Sequence, residues 1–336
     1  MTGDASGITY SFVVPIYNDG YLARQFCIEF EKAFKDTFHL SSISNLAELI
    51  FINDGSSDNS IIQLKALLTE FDFLRIIDLS RNFGQHIAIA CGFREAKGRF
   101  VGRMNVDMQD PPSEIPKFIE AIESSGADLV IGVYEQRQSS LIDRFTSHIF
   151  FVFFNWLSGA KIPHNTSPLR IMSRRYIDAY NQLTEKTRFP QGLDSWLGFD
   201  HRFIKSEHRE RIDKRSSYTL RKRLRLAVEA GLSFSERPLA LIFWLGFALV
   251  AFGLCYSAFL IAWRAFSGNR VPGYASTIIL FTLFSGFQNI GMGIVAQYIG
   301  RVLQETQNRP LYLIKGSFAS KVRYEAPPDN RAELWR

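Results

Sequence analysis

The stretch Asn105-Val106-Asp107-Met108-Gln109-Asp110-Pro111-Pro112 follows an apolar run, in which Phe100, Val101 and Met104 read as a strand, and Pro111-Pro112 forbids its continuation. Polar side chains are thereby placed at a strand's C-terminal edge, which in open α/β sheets is where ligands bind. Alternate positions 105, 107 and 109 carry side-chain oxygens suited to converge on one hard cation, and a cation there would hold a diphosphate. Taken alone, the turn reads equally well as an Asp-rich cap on a helix that starts near Pro112.

Outward from this turn, apolar runs alternate with helical patterns. Residues 10–15, 48–52, 74–79, 100–106 and 128–133 read as strands, with helical patterns starting at Gly20, Asp58, Gly84 and Pro112. That alternation predicts a parallel-rich α/β sheet flanked by helices. The near-continuous apolar segment Leu49-Ile50-Phe51-Ile52 fits a strand covered on both faces.

The 336 residues are 46% hydrophobic and include 30 Phe, enough for one sizeable α/β domain and a further apolar element. Two runs, 238–263 and 271–300, carry no charged residue over 26 and 30 positions. Roughly 20 apolar residues cross a bilayer, so transmembrane helices are expected at about 238–263 and 273–300. Just before the first run, ten cations between Arg202 and Arg225 face only Glu207, Glu210 and Asp213. By the positive-inside rule that flank is cytoplasmic. A basic tail with Arg301, Arg309, Lys315, Lys321 and Arg323 agrees with both termini inside.

No charged-then-apolar leader opens the chain, so no cleaved secretory signal is expected. Cys27, Cys91 and Cys255 are widely separated and lack metal-ligand spacing, which predicts buried reduced thiols. The expected organisation is a cytoplasmic domain at 1–223, a juxtamembrane amphipathic helix at 224–236, two spans within 237–301 and a cytoplasmic basic tail at 302–336. Residues 144–158, dense in Phe, read either as an interfacial helix or as a buried core helix.

Three strand ends carry motifs: Pro15-Ile16-Tyr17-Asn18-Asp19, Asn53-Asp54-Gly55-Ser56-Ser57-Asp58 and the acidic turn. Leu79-Ser80-Arg81-Asn82-Phe83-Gly84 adds a fourth. In this order they resemble the motifs of family two glycosyltransferases with a GT-A fold. The nearest branch is the polyprenyl-phosphate glycosyltransferases, which include dolichol-phosphate mannose synthase and the bacterial undecaprenyl-phosphate enzymes. The likeness runs from about Tyr10 to Tyr312.

The resemblance implies a nucleotide-sugar donor, a polyprenyl phosphate acceptor, a lipid bilayer and a divalent cation, Mg2+ or Mn2+. It aligns Pro15, Tyr17, Asp19, Ile52 and Asp54 with nucleotide binding, and Asn105, Asp107 and Gln109 with metal binding. Asp107 is the expected catalytic centre of the metal site, and Arg144, Arg211 and Arg215 are expected at substrate phosphates. Four positions depart from the family pattern: Asn105 replaces an acid, Tyr134 an Arg, Pro168 an Asp and Ser217 a Lys.

A processive polysaccharide synthase is disfavoured by the absence of a Q-x-x-R-W segment, and a nucleic-acid role by basic residues that abut a span. A noncatalytic membrane partner derived from such an enzyme is the alternative that Asn105 and Pro168 leave open. Gly286, Gly291 and Gly293 would permit close helix approach and hence a homo-oligomer. The sugar, the nucleotide base and the polyprenol are not specified by these residues.

Overall fold

The computed structural model describes residues 7–134, 166–186, 188, 190–207, 209, 237–267 and 273–320. The helices expected at 144–158 and 224–236 lie outside the described residues, as do Arg144, Arg211, Arg215 and Ser217. The chain divides into two compact units. One comprises Met1–Leu141, Ile162–Ser217 and Pro310–Arg336, and the other Ile142–Lys161 and Tyr218–Arg309.

In the first unit, strands β1 (Tyr10–Ile16), β2 (Ala47–Asn53), β3 (Leu74–Leu79) and β4 (Phe100–Arg103) form a parallel block. Helices α1 (Ala23–Phe38), α2 (Ser60–Leu67) and α3 (Gln85–Glu95) connect them, and α4 (Ile115–Ser125) leads to β5 (Leu129–Val133). Beyond these come β6 (Thr166–Ser173), α5 (Arg174–Gln182), α6 (Pro190–Leu197) and β7 (His201–Lys205). The eight-stranded sheet has the order β7-β5-β6-β4-β1-β2-β3-β8, where β8 is Ile314–Ala319.

The sheet is parallel-rich as expected, with two antiparallel members: β6 runs antiparallel to both β4 and β5, and β8 antiparallel to β3. Part of the segment expected as a basic tail, 314–319, returns to pair with β3. The sequence hides β6 because Pro168 and Arg170 interrupt its apolar character, and hides β8 because Ile-Lys-Gly-Ser-Phe-Ala has little of its own. Each is held by the ladder that its neighbour supplies.

The core explains the abundance of Phe. Helix α1 buries Phe26, Phe30 and Phe34 at four-residue spacing, on one stripe of the helix. Phe30 meets Phe34 at 4.9 Å between ring centroids and Phe12 of β1 at 5.4 Å. Each such ring contributes about 1.5–3 kcal/mol by leaving water. Both β1 and β2 are buried almost throughout, as strands covered on two faces must be. On the opposite face α3 approaches closely at Gly92, where a Cβ would meet Val13 Cγ1 at 2.1 Å.

The strand directions decide where chemistry can gather. β1 to β4, β5 and β7 all end on one edge, and β6 and β8 begin there. All four motif segments therefore open onto a common rim.

The second unit contains α7 (Arg237–Ser267) and α8 (Tyr274–Thr306), of 31 and 33 residues. They border an apolar groove of about 680 Å³ lined by residues such as Phe243, Phe247, Phe287 and Met292. Gly291 is used within this pair, since a Cβ there would meet Ile242 Cγ2 at 3.4 Å, whereas Gly286 and Gly293 face open space. Among the described residues no helix is long and apolar enough to cross a membrane, so the structure does not show the spans expected at 238–263 and 273–300. Side chains at 238, 241, 257, 260 and 261 of the first run, and at 274–276, 278, 279, 282 and 283 of the second, lie outside the description. Cys27 and Cys91 are buried free thiols as expected, but Cys255 is exposed on α7.

Candidate active site

The loop after β1 is locked to the loop after β2. Asn18, at φ 58°, accepts from Ser57 N–H through Oδ1 at 2.9 Å, and its own N–H donates to Ser56 Oγ at 3.0 Å. Gly20 N–H adds a bond to Ser60 Oγ at 2.9 Å. These bonds leave the Tyr17 ring 46% exposed at the rim, a flat apolar surface of the kind that a nucleotide base stacks on. Pro15 and Asp19 are half-buried beside it in sequence.

Asp54 and Ile52 are placed otherwise than their alignment with nucleotide binding implies. Ile52 is fully buried in β2 and presents no surface to a ligand. Asp54 is 2% exposed, and its two oxygens accept from the backbone N–H groups of Phe83, at 2.8 Å, and Gly84, at 2.9 Å. Burial raises its pKa, and those two N–H groups pull it partly back. The carboxylate thus braces the loop that leads into α3. Gly55, at φ 61°, permits the approach: a Cβ there would meet the Arg81 carbonyl carbon at 2.2 Å.

Along the acidic turn, side chains alternate between half-buried and buried positions. β4 stops at Arg103, three residues short of the expected 106, and the chain turns through Met108 at φ 60°. Asn105, Asp107 and Gln109 are half-buried at the open side, while Val106, Met108 and Asp110 are buried between them. Asp107 Oδ1 accepts from Gln109 N–H at 3.3 Å, and Asn105 Oδ1 from Gln85 Nε2 at 2.9 Å. Arg209 N–H donates to the Gln109 carbonyl at 3.0 Å, bringing the segment after β7 onto the turn.

Asp110 is wholly buried. Its Oδ1 accepts from Tyr134 Oη at 2.8 Å and Ser167 Oγ at 2.5 Å, and its Oδ2 has no partner among the described residues. Burial pushes its pKa up to about 6 in spite of the two donors. It faces inward as an anchor, which leaves Asp107 as the acid on the open side.

Behind the turn lies a buried cationic layer. Arg103 and Arg170 are register partners on β4 and β6, only 8% and 3% exposed. Asp194 of α6 pairs with Arg170 and also accepts from the Tyr176 hydroxyl. Burial, then the Arg170 charge, pushes Arg103 down to about 10. His86 is pushed down to about 4 by burial, then by the charges of Arg103 and Arg170.

A hard divalent cation takes oxygen ligands, and the open side supplies the Asp107 carboxylate and the amide oxygen at 109, while the amide oxygen at 105 is already bonded by Gln85. Among the described residues no cluster of three or more His, Cys, Asp or Glu stands ready to hold a metal. The donor set therefore fits a cation whose coordination a diphosphate completes, not a protein cage. Sequence reasoning missed Gln85, Asp110 as an anchor, and the layer of Arg103, Arg170 and Asp194. Only their position next to the motifs marked them.

Residues 11–180 match the model of the family described as "Glycosyl transferase family 2". The chain is 32% identical over 312 residues to the uncharacterized glycosyltransferase YkcC of Bacillus subtilis (strain 168), covering 93% of this chain and 94% of that protein. It is likewise 32% identical over 308 residues to the bactoprenol glucosyl transferase of Shigella phage SfII, covering 91% and 97%. The solved mannosyltransferase PcManGT from Pyrobaculum calidifontis superposes with a TM-score of 0.46 at 13% identity, covering 90% of this chain and 88% of that one. With a parallel block that opens its motifs onto one rim, and with that match across half its length, the chain belongs to glycosyl transferase family 2 and is a glycosyltransferase.

Proposed function

We propose that this enzyme transfers a single sugar from a nucleotide-sugar donor to a polyprenyl phosphate, undecaprenyl phosphate in a bacterium, with inversion at the anomeric carbon. The observation that carries this is the reach of the likeness to the phage bactoprenol glucosyl transferase. It spans 91% of this chain and 97% of that protein, so the matched portion takes in the long helices as well as the rim.

Tyr17 flanks the nucleotide base, and Asp19 lies beside it in sequence. Asp107 supplies the carboxylate for Mg2+ or Mn2+, with Gln109 as an amide ligand; when bound, the cation neutralises charge on the departing diphosphate. A nonbridging oxygen of the lipid phosphate forms the new bond to the anomeric carbon. The bond from that carbon to the diphosphate oxygen breaks, and its electron pair leaves with the nucleoside diphosphate. The attacking oxygen is already ionised near neutral pH, so no side chain has to remove a proton. Pro168 in place of an acid is compatible with such a step. Arg144, Arg211 and Arg215 are assigned to the phosphates.

The reaction is placed at the cytoplasmic face of the inner membrane, with 238–263 and 273–300 as spans and both termini inside. Support comes from the two uncharged runs, the basic flank before them, and large apolar side chains such as Phe243, Trp244, Phe247 and Ile290 that are exposed on α7 and α8. The test is transfer of radiolabel from a panel of nucleotide sugars to undecaprenyl phosphate, with Mg2+, with Mn2+ and with chelator. Metal-dependent formation of a lipid-linked monosaccharide is the expected result. No product from any donor, by folded protein, would favour the noncatalytic membrane partner.

A further inference from the structure

Asn105 stands where the family pattern has an acid, and the structure gives its one side-chain oxygen a partner. Gln85 Nε2 donates to Asn105 Oδ1 at 2.9 Å. A cation seated on that oxygen would share it with an N–H dipole whose positive end already points at it. The other end of the amide, Nδ2, brings two hydrogens and no acceptor among the described residues, and it can do only one thing, which is donate.

The backbone at Gln85 is fixed, and its side chain reaches out from there at the exposed rim. Gln85 is the first residue of α3, directly after Gly84 at φ 99°. The N–H groups of Phe83 and Gly84 are held by the buried Asp54 carboxylate at 2.8 and 2.9 Å. A continuous path of hydrogen bonds and peptide units thus runs from the end of β2, through the start of α3, to the first residue of the acidic turn. Gln85 bonds the amide of Asn105 through its oxygen, occupying one of the two lone pairs there. An Asp at 105 would present a charged oxygen to a metal from either end; Asn105 presents one neutral oxygen that is already shared.

We propose that Asn105 is a hydrogen-bond donor to a diphosphate oxygen of the sugar donor and not a metal ligand, and that Gln85 is the positioning residue that sets its amide. This rests on the nucleotide-sugar reading above. It leaves Asp107 as the one carboxylate for the cation among the described residues of the turn's open side, so metal affinity depends on the diphosphate that completes the coordination. An amide donor also recovers, without charge, part of the attraction for an anionic substrate that a full metal cage would supply.

Mn2+ binding and UDP or GDP binding, measured separately by calorimetry on the purified full-length protein, test this without turnover. Asn105→Ala is expected to change affinity for Mn2+ alone by less than about twofold, and to weaken nucleotide binding at saturating Mn2+ by about tenfold, the usual loss for a hydrogen bond to a charged group. Gln85→Leu frees the amide to turn, so Mn2+ affinity rises while nucleotide affinity falls. Opposite signs are something that a merely structural loss does not produce. Tenfold weaker Mn2+ binding by Asn105→Ala, with the wild type binding nucleotide normally, overturns the inference and leaves the proposed function standing. Failure of the wild type to bind either nucleotide in the presence of Mn2+ overturns both.

Discussion

The hydroxyl of Tyr134 donates to Asp110 Oδ1 at 2.8 Å, joining the residue after β5 to the end of the acidic turn. Ser167 donates to the same oxygen at 2.5 Å. Tyr134 replaces an Arg of the family pattern, and Ser167 adjoins Pro168, which replaces an Asp. One departure, Tyr134, and the residue that precedes another, Ser167, thus meet on one buried carboxylate.

Tyr134→Phe removes one of these two donors from a buried acceptor. The expected cost is about 1–2 kcal/mol of stability, read as a lower urea midpoint at unchanged slope. An unshifted midpoint would show that the bond does not anchor the turn.

Asp194→Ala should be far more damaging. It strips the counter-charge from Arg170, itself 3% exposed and facing Arg103 across the β4–β6 ladder, and leaves the Tyr176 hydroxyl without its acceptor. Breaking a buried pair from one side costs about 3–5 kcal/mol. The double replacement Arg170→Met with Asp194→Leu should recover most of that loss. Equal stability of the single and double variants would count against the pair as the source.

His86 gives the pH dependence a definite sign. Its folded pKa, about 4, lies below the ordinary 6.5, so between those values the unfolded chain binds more protons than the folded one. Stability is then full above about 6.5 and falls as pH drops toward 4, by on the order of 2 kcal/mol once partial exposure is allowed for. His86→Gln should flatten that part of the unfolding profile. A parallel profile in wild type and variant would remove His86 as the cause.

The parallel block was legible in the sequence because its strands are continuous apolar runs and its helices, such as α1, keep a three-to-four-residue apolar stripe. The exposure of Asn105, Asp107 and Gln109 relative to their neighbours was legible too, since burial alternates through the turn although β4 itself stops at Arg103. Strands β6 and β8 were not, because residues such as Arg170 and Gly316 become acceptable only through distant partners, Asp194 for the one and the edge of β3 for the other. Asp54 shows the converse. Its motif marks it as part of the site, but only three-dimensional structure shows that both oxygens are spent on the backbone of the next loop. Gln85 carries no motif signal at all, since its role depends on a side chain twenty positions away.

If the acid on the open side of the turn supports sugar transfer to a lipid phosphate, Asp107→Ala should lose the transfer of label from the active nucleotide sugar to undecaprenyl phosphate, measured beside the wild type with Mn2+ present. Asp107 is half-buried at the rim and outside the Phe core, so the variant should fold as the wild type does. A lipid-linked monosaccharide from the wild type and none from the variant is the expected result. Turnover by Asp107→Ala at the wild-type rate would remove Asp107 from the reaction.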